Sequence, residues 1–415
     1  LMRNHELSPS SSGSPYKAGQ DPAAESFDSG SVGGVTRLVL DGTTKERLSS
    51  NLVLVGTNRN CAGGRSPWGW LSCEENVSSG HGYVFVCPTD AASVQAPQRV
   101  VGFGRFNHEA ATVDPATNIT YLTEDRGDSC FYRFVPPDPT KPFQGKLQAL
   151  KIAGQNMVDT SAWGDLNTPH DVEWVDIAEP DPVGDTVRIE AQGKGATLFS
   201  RGEGIVFHDD GGGQIYFCCT NGGPVAGGQI FRLDVESDLL VLVGVSTSGN
   251  ILQMPDNIAM APWGDVVMAE DGQGENFLRG LSADGSVYDI ARNAISASEL
   301  AGVCFAPDGS TMFVNLQADG LTLAITGPFP SGPTTTGAGG GGEGGSDAAG
   351  ATVGGSTTAG AGGSSGTTGG SSSREDESGC ACSTAGDKQD TSAASLVSAV
   401  AIAATAARRS KKTPS

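Results

Sequence analysis

One pattern recurs through the first 330 residues of this 415-residue chain. An acidic or amide residue opens an alternating apolar run, a tight Asp/Pro/Gly turn follows, and a second apolar run closes on acid or amide again. The clearest copy runs from Glu109 through Asp114-Pro115 to Glu124 and Asp125. Others run from Glu203 through Asp209-Asp210-Gly211 to Asn221, from Asp256 and Asn257 through Pro262-Trp263-Gly264-Asp265 to Glu270 and Asp271, and from Glu299 through Pro307-Asp308-Gly309 to Asn315. Period-2 alternation on both sides of such a turn predicts an antiparallel β-hairpin. Copies spaced by roughly 40–50 residues predict an all-β chain of the propeller kind, whose four-stranded blades surround a channel. Six blades are expected over residues 1–330, and a β-sandwich with ordinary Asp/Gly turns is the competing architecture.

The hairpin geometry also gathers chemistry. The start of the first strand and the end of the second lie at the same end of an antiparallel pair. Glu109 therefore falls near Glu124 and Asp125, Glu203 near Asn221, and Asp256 and Asn257 near Glu270 and Asp271. If these hairpins line the channel, their ends meet at one mouth. Carboxylates packed so closely cannot all stay ionised unless cations compensate them. Oxygen-rich sets suit calcium, and an added thiolate suits a transition metal. The plain alternative is that each acid caps a turn.

The formal net charge of −21 argues against a nucleic-acid partner, because no basic patch is available to displace counterions. The nine cysteines include no C-x-x-C pair, and the five histidines form no H-E-x-x-H, so neither a structural zinc site nor a zinc protease is indicated. Their odd number leaves at least one thiol unpaired. Over residues 1–330 no Gly-x-Ser-x-Gly elbow supports an α/β-hydrolase triad. The chain starts at Leu1 with no signal-peptide pattern, and reads as beginning inside its first strand.

Residues 331–379 are Gly, Ser, Thr and Ala with almost no large apolar side chain, the composition of a disordered linker. Residues 380–415 hold Cys380-Ala-Cys382, a short Ala-rich apolar stretch and a basic end, too short for a permanent membrane span. That order resembles sorting tails of the MYXO-CTERM type, which implies a bacterial cell-surface location and a transient membrane association.

The segment Asn60-Cys61-Ala62-Gly63-Gly64, leading to Pro67-Trp68-Gly69 and ending Cys73-Glu74-Glu75, is unlike a common turn. It resembles the signature of PhoX-type alkaline phosphatases. The likeness continues in order through Asn4-His5-Glu6, Arg105-Phe-Asn-His108-Glu109, Glu124-Asp125, Arg201-Gly-Glu203, Thr220-Asn221 and Pro255-Asp256-Asn257. It implies a six-bladed propeller carrying Ca2+ and Fe3+ at one end of its channel and hydrolysing small phosphate esters. By position, Cys61 resembles the iron-binding cysteine, and Glu75, Glu109 and Glu203 resemble metal-bound glutamates. Arg201 resembles the arginine that holds phosphate. Glu6, Glu124, Asp125, Asp256, Asn257, Glu270 and Asp271 fall in the motifs expected around calcium, and Asn60 in one that touches substrate. His108 would orient Glu109 from behind, or serve as a plain structural histidine. Trp68, Trp174 and Trp263 are expected between blades. A monomer, secreted, periplasmic or anchored at the cell surface, is expected. The rival readings are a calcium-dependent lactonase or arylesterase propeller, which needs no Cys61, and a non-catalytic surface propeller with structural calcium.

Overall fold

Each predicted hairpin forms, and each is the inner pair of a blade. The computed structural model describes residues 1–11, 25–330 and 381–383. Blade 1 comprises β1 (Met2–His5), β2 (Gly33–Leu40) and β3 (Arg47–Thr57). Blade 2 comprises β4 (Asn60–Ser66), β5 (Gly69–Glu74) and β6 (Val84–Cys87). Blade 3 comprises β7 (His108–Val113), β8 (Thr120–Glu124), β9 (Tyr132–Val135) and β10 (Lys146–Ile152). After it come β11 (Pro169–Asp176) and one short helix, α1 (Val187–Gly193). Blade 4 holds β12 (Gly202–His208), β13 (Gln214–Cys219), β14 (Gln229–Asp234) and β15 (Leu239–Val245). Blade 5 holds β16 (Pro255–Met260), β17 (Val266–Glu270), β18 (Phe277–Leu281) and β19 (Val287–Arg292). Blade 6 holds β20 (Leu300–Phe305), β21 (Thr311–Leu316) and β22 (Leu321–Thr326).

The architecture is a six-bladed β-propeller. Strand β11 pairs with the outer strand of blade 3 over one stretch and of blade 4 over another, joining the two into a single hydrogen-bonded sheet. A further strand, β23 (Ala381–Ser383), lies parallel beside β1. The rest of residues 331–415, where a linker and a sorting tail are expected, falls outside the described residues.

Strand sequences follow from where the strands sit. Inner and middle strands are covered on both faces by neighbouring blades, and β7, β8, β17 and β21 are buried at every residue. β11 is at the rim, and its Pro169–Trp174 alternate exposed and partly covered. An apolar cluster fills each seam between blades. Trp70 and Phe85 meet Val35 and Leu54 between blades 1 and 2. Leu71 and Val84 meet Leu122 and Phe134 between 2 and 3. Tyr121 and Phe131 meet Phe217 and Phe231 between 3 and 4. Cys218 and Ile230 meet Ile258 and Met268 between 4 and 5, and Val267 and Leu278 meet Val303 and Met312 between 5 and 6. The closing seam is the thinnest: Cys304 and Phe313 against Leu1 and Leu40. At its mouth end Gln317 donates to Glu6 at 3.1 Å.

Trp68 packs on Phe143 and Trp263 on Phe305, while Trp174 lies under the Arg133 guanidinium. Cys61, Cys73, Cys87, Cys130, Cys218, Cys219 and Cys304 are free thiols.

Candidate metal centre

Two features of the inner strands bring the acids together. First, neighbouring inner strands approach closely because small residues face each other. A Cβ on Gly64 of β4 would lie 1.6 Å from the Ala111 carbonyl oxygen of β7. One on Gly204 of β12 would lie within 2.9 Å of three backbone atoms of Asp256, Asn257 and Ile258. The glycines of Cys-Ala-Gly-Gly and Glu-Gly are therefore steric requirements of the ring. Second, the inner hairpins of blades 2 to 5 each slip register near the mouth. The slips fall between Asn60 and Gly63, His108 and Ala111, Gly202 and Ile205, and Pro255 and Asn257. A β-bulge re-aims the residue it inserts. The first residue inside each bulge is Cys61, Glu109, Glu203 and Asp256 respectively.

Two further positions recur. The residue just before each inner strand accepts a backbone hydrogen bond from the residue just past the second strand. The pairs are Arg59 with Glu75, Asn107 with Asp125, Arg201 with Thr220, Met254 with Asp271 and, in blade 6, Glu299 with Gln317. Arg59, Arg201 and Met254 adopt φ of 50°, 60° and 50° there, a left-handed backbone that L-residues enter at a cost of ~1–2 kcal/mol.

These positions build two candidate sites. Ligand atoms of Glu6, Cys61 and Glu75 lie within 4.8 Å of one another, as do those of Glu109, Glu203 and Asp256. Arg201 spans Asp125 through two 2.8 Å hydrogen bonds and reaches Glu203 at 2.9 Å. Arg59 spans Glu6 at 3.1 Å and Glu75. Asn107 donates to Glu75 at 3.2 Å, and Thr220 to Glu203 at 2.6 Å.

The electrostatics are those of a crowded anionic pocket. Burial, then Asp256, Glu75 and Asp125, push Glu109 well above the carboxylate range; burial, then Asp125, Glu109 and Asp256, do so for Glu203. Burial raises Glu75 to about 8 despite the opposing pull of Arg59. Burial and Asp271 raise Asp256 to about 7, and burial with Asp256 and Asp271 raises Glu299 to about 9. Asp271 is raised by burial, and the Cys61 thiol by burial and then Glu109. The Asp125 hydrogen bonds raise Arg201. Burial opposes the Arg59 charge, but Glu75 and Glu6 outweigh it. Desolvated carboxylates that repel one another fit multivalent cations: the all-oxygen set suits a hard ion, and the set with Cys61 a softer transition metal.

Not every expected residue joins this set. Glu124 and Glu270 immediately precede Asp125 and Asp271, and successive side chains on a strand point to opposite faces. Both therefore turn into their own blades. Glu124 accepts from Tyr132 Oη at 2.8 Å. Glu270 accepts from the backbone of Gln253 and Phe277 and from Arg279 Nε at 2.9 Å. Glu74 does the same in blade 2, holding His81 at 2.7 Å and the Asn58 and Gly82 amides. Asn60 is fully buried between Thr57 and Ser72. Of the two readings of His108, the geometry fits the plain structural one. Its Nε2 bonds the Gly104 carbonyl at 2.9 Å and its ring lies on Phe106, away from Glu109, while burial lowers its pKa to about 3. Asn257 follows the bulge, pairing with Ala269. Conversely, sequence reading passed over Arg59, Asn107 and Glu299. Their signal was their spacing, one residue before the inner strand of a blade begins.

A profile of the alkaline phosphatase PhoX family matches residues 39–320. Among solved structures, Pseudomonas fluorescens PhoX in complex with vanadate, a transition state analogue, is 21% identical, covering 63% of this chain and 65% of that one, at a TM-score of 0.50. The chain thus spans about 65% of the length of that relative. The periplasmic gluconolactonase PpgL of Pseudomonas aeruginosa is 13% identical, over 71% of this chain and 74% of that one, at a TM-score of 0.38. A gluconolactonase of Xanthomonas campestris is 15% identical, over 64% and 72%, at 0.32; neither likeness carries a functional argument. No curated protein sequence matches the chain.

Proposed function

Since the chain belongs to the PhoX alkaline phosphatase family, we propose that it is a metal-dependent hydrolase of small phosphate esters, working at the carboxylate-lined mouth of its channel. The observation that carries this reading is the convergence of Cys61, Glu75, Glu109, Glu203 and Asp256 from four blades on a desolvated pocket edged by Arg201. We assign Ca2+ and Fe3+ as the cofactors. Glu109, Glu203 and Asp256 would hold a hard ion, and Cys61 with Glu6 and Glu75 the iron. Asp125 and Asp271 flank these sets, with Glu299 beside Asp271.

The chemistry supplied by bound cations is neutralisation of the developing charge and activation of a water. The chain's own part is positional. Arg201 presents a planar fork suited to two phosphate oxygens. Asp125 and Glu203 fix that fork, and the Thr220 hydroxyl fixes Glu203 in turn. The bulges hold the acids rigidly on strands, so little reorganisation is needed on binding.

Secretion to the periplasm or cell surface of a bacterium fits this activity, and among the described residues no helix is long and apolar enough to cross a membrane. A monomer remains our expectation. The test is hydrolysis of p-nitrophenyl phosphate at alkaline pH by the purified protein, with its metal content measured alongside. Activity lost on chelation and restored by calcium is expected, as is iron lost together with activity in Cys61→Ala. A protein that carries neither metal and no esterase activity on this substrate would overturn the reading.

A further inference from the structure

Arg201 is not the only guanidinium at its position. Arg59 occupies the same place in blade 2: two residues before the bulged side chain, left-handed at φ 50°, and accepting from the first residue past the second strand. Both arginines join a carboxylate of their own blade to one of the blade before it, Arg59 through Glu75 and Glu6, Arg201 through Glu203 and Asp125. Met254 takes the same backbone shape without a charge, so the loop itself does not require an arginine there.

The two guanidinium groups are linked by a short run of contacts. Arg59 meets Glu75, whose Oε1 accepts from Asn107 Nδ2. That amide also reaches the Asp125 carbonyl at 3.4 Å, and the Asp125 carboxylate holds Arg201. The entry positions of three consecutive blades are thus Arg59, Asn107 and Arg201; the Asn107 amide hydrogens are taken by Glu75 and Asp125, and the donors left free are those of the two guanidinium groups. In a pocket otherwise lined by acids, this is the side that can accept an anion. Arg59 is 38% exposed at its side chain, and both of its contacts use Nη2, leaving the Nε and Nη1 hydrogens directed to no protein acceptor among the described residues.

We propose that Arg59 is a second phosphate-binding residue, which clamps the dianionic phosphoryl group of the substrate from the side opposite Arg201, over Asn107. Two forks satisfy more of the phosphoryl oxygens than one, and Arg59 does so with donors that its carboxylate partners leave free. This inference rests on the phosphatase reading above.

The test is calorimetric titration of the metal-loaded protein with inorganic phosphate, with elemental analysis of each variant and steady-state kinetics in parallel. Arg59→Gln should weaken phosphate binding by about 10–100-fold, raise KM more than it lowers kcat, and keep the wild-type metal content. Arg59→Lys retains the charge without the fork and should recover part of the affinity. It also serves as the measurable variant if Arg59→Gln does not fold. Phosphate affinity within twofold of wild type in the variant that folds would overturn the proposal. So would weakened binding that merely tracks lost metal, because Arg59 would then only buttress Glu6 and Glu75. Arg201→Gln separates the two levels of inference. If it loses phosphate binding while Arg59→Gln does not, the Arg59 assignment alone fails; if the loaded wild type binds no phosphate, the phosphatase reading fails with it.

Discussion

Neutralising one carboxylate of the cluster should act in opposite senses on the metal-free and metal-loaded protein. In the metal-free state Glu75 is raised from 4.5 to about 8, chiefly by burial. The folded state therefore holds this proton more tightly than the unfolded chain does. The associated stability is complete below the unfolded value and is lost as pH rises through the folded one. The displacement corresponds to a ceiling of about 5 kcal/mol at ~1.4 kcal/mol per pH unit. Glu6, Asp125 and Asp256 contribute to the push, so Glu75 is not an independent site and we expect on the order of 2–3 kcal/mol. Glu75→Gln mimics the protonated form at every pH. The measurement is urea unfolding of chelated wild type and variant at pH 5 and pH 8. Taking the difference of differences removes any pH-independent cost of the glutamine, including its altered pairing with Arg59. The variant should gain about 2–3 kcal/mol relative to wild type on going from pH 5 to pH 8. With calcium and iron restored the sign should reverse, the variant binding metal less well and unfolding first. A pH-independent difference would refute the argument, because Glu75 could not then lie in a desolvated cluster of like charges.

Three further outcomes are expected. Gly204→Ala should cost about 1–3 kcal/mol of stability and lower metal content, because its Cβ meets backbone of β16 beside Asp256; Gly42→Ala, which meets nothing within 4 Å, should change thermal unfolding little. Glu270→Gln should lower stability by about 1–3 kcal/mol, since it disturbs the acceptor of two backbone amides and Arg279, and leave metal content unchanged. Its neighbour Asp271→Asn should do the reverse, and elemental analysis with thermal melts distinguishes them. Arg201→Lys should reduce kcat/KM for a phosphate ester by about 10–100-fold through loss of the fork, with metal content kept.

The division between legible and illegible features follows from strand geometry. The phase of the hairpins was written in the residues: apolar alternation and Pro-Asp-Gly turns give strand pairs, and their spacing gives blades. That the acids of each hairpin would share one end followed from antiparallel pairing, and that these ends would meet at one mouth followed once the hairpins lined a channel. Which acids would face the channel did not follow. Glu124 and Asp125, or Glu270 and Asp271, are equivalent as letters, and one of each pair turns into its blade because adjacent side chains point oppositely. The bulges that present Cys61, Glu109, Glu203 and Asp256 are register slips, set by the partner strand and by the approach of the next blade against Gly64 and Gly204. Sequence left His108 between two roles, because adjacency to Glu109 is visible in the letters and its spatial neighbour, the Gly104 carbonyl, is not.

By itself the sequence determined an all-β repeating chain, its acidic mouth and the family to which its Cys61 segment belongs, because these depend on local periodicity and on residue types at fixed spacing. Only the tertiary structure decided which carboxylates share a pocket, that Glu299 and Asn107 border it, and that Arg59 stands where Arg201 stands. Those relations join residues of different blades, and closing the ring is what brings them within reach of one another.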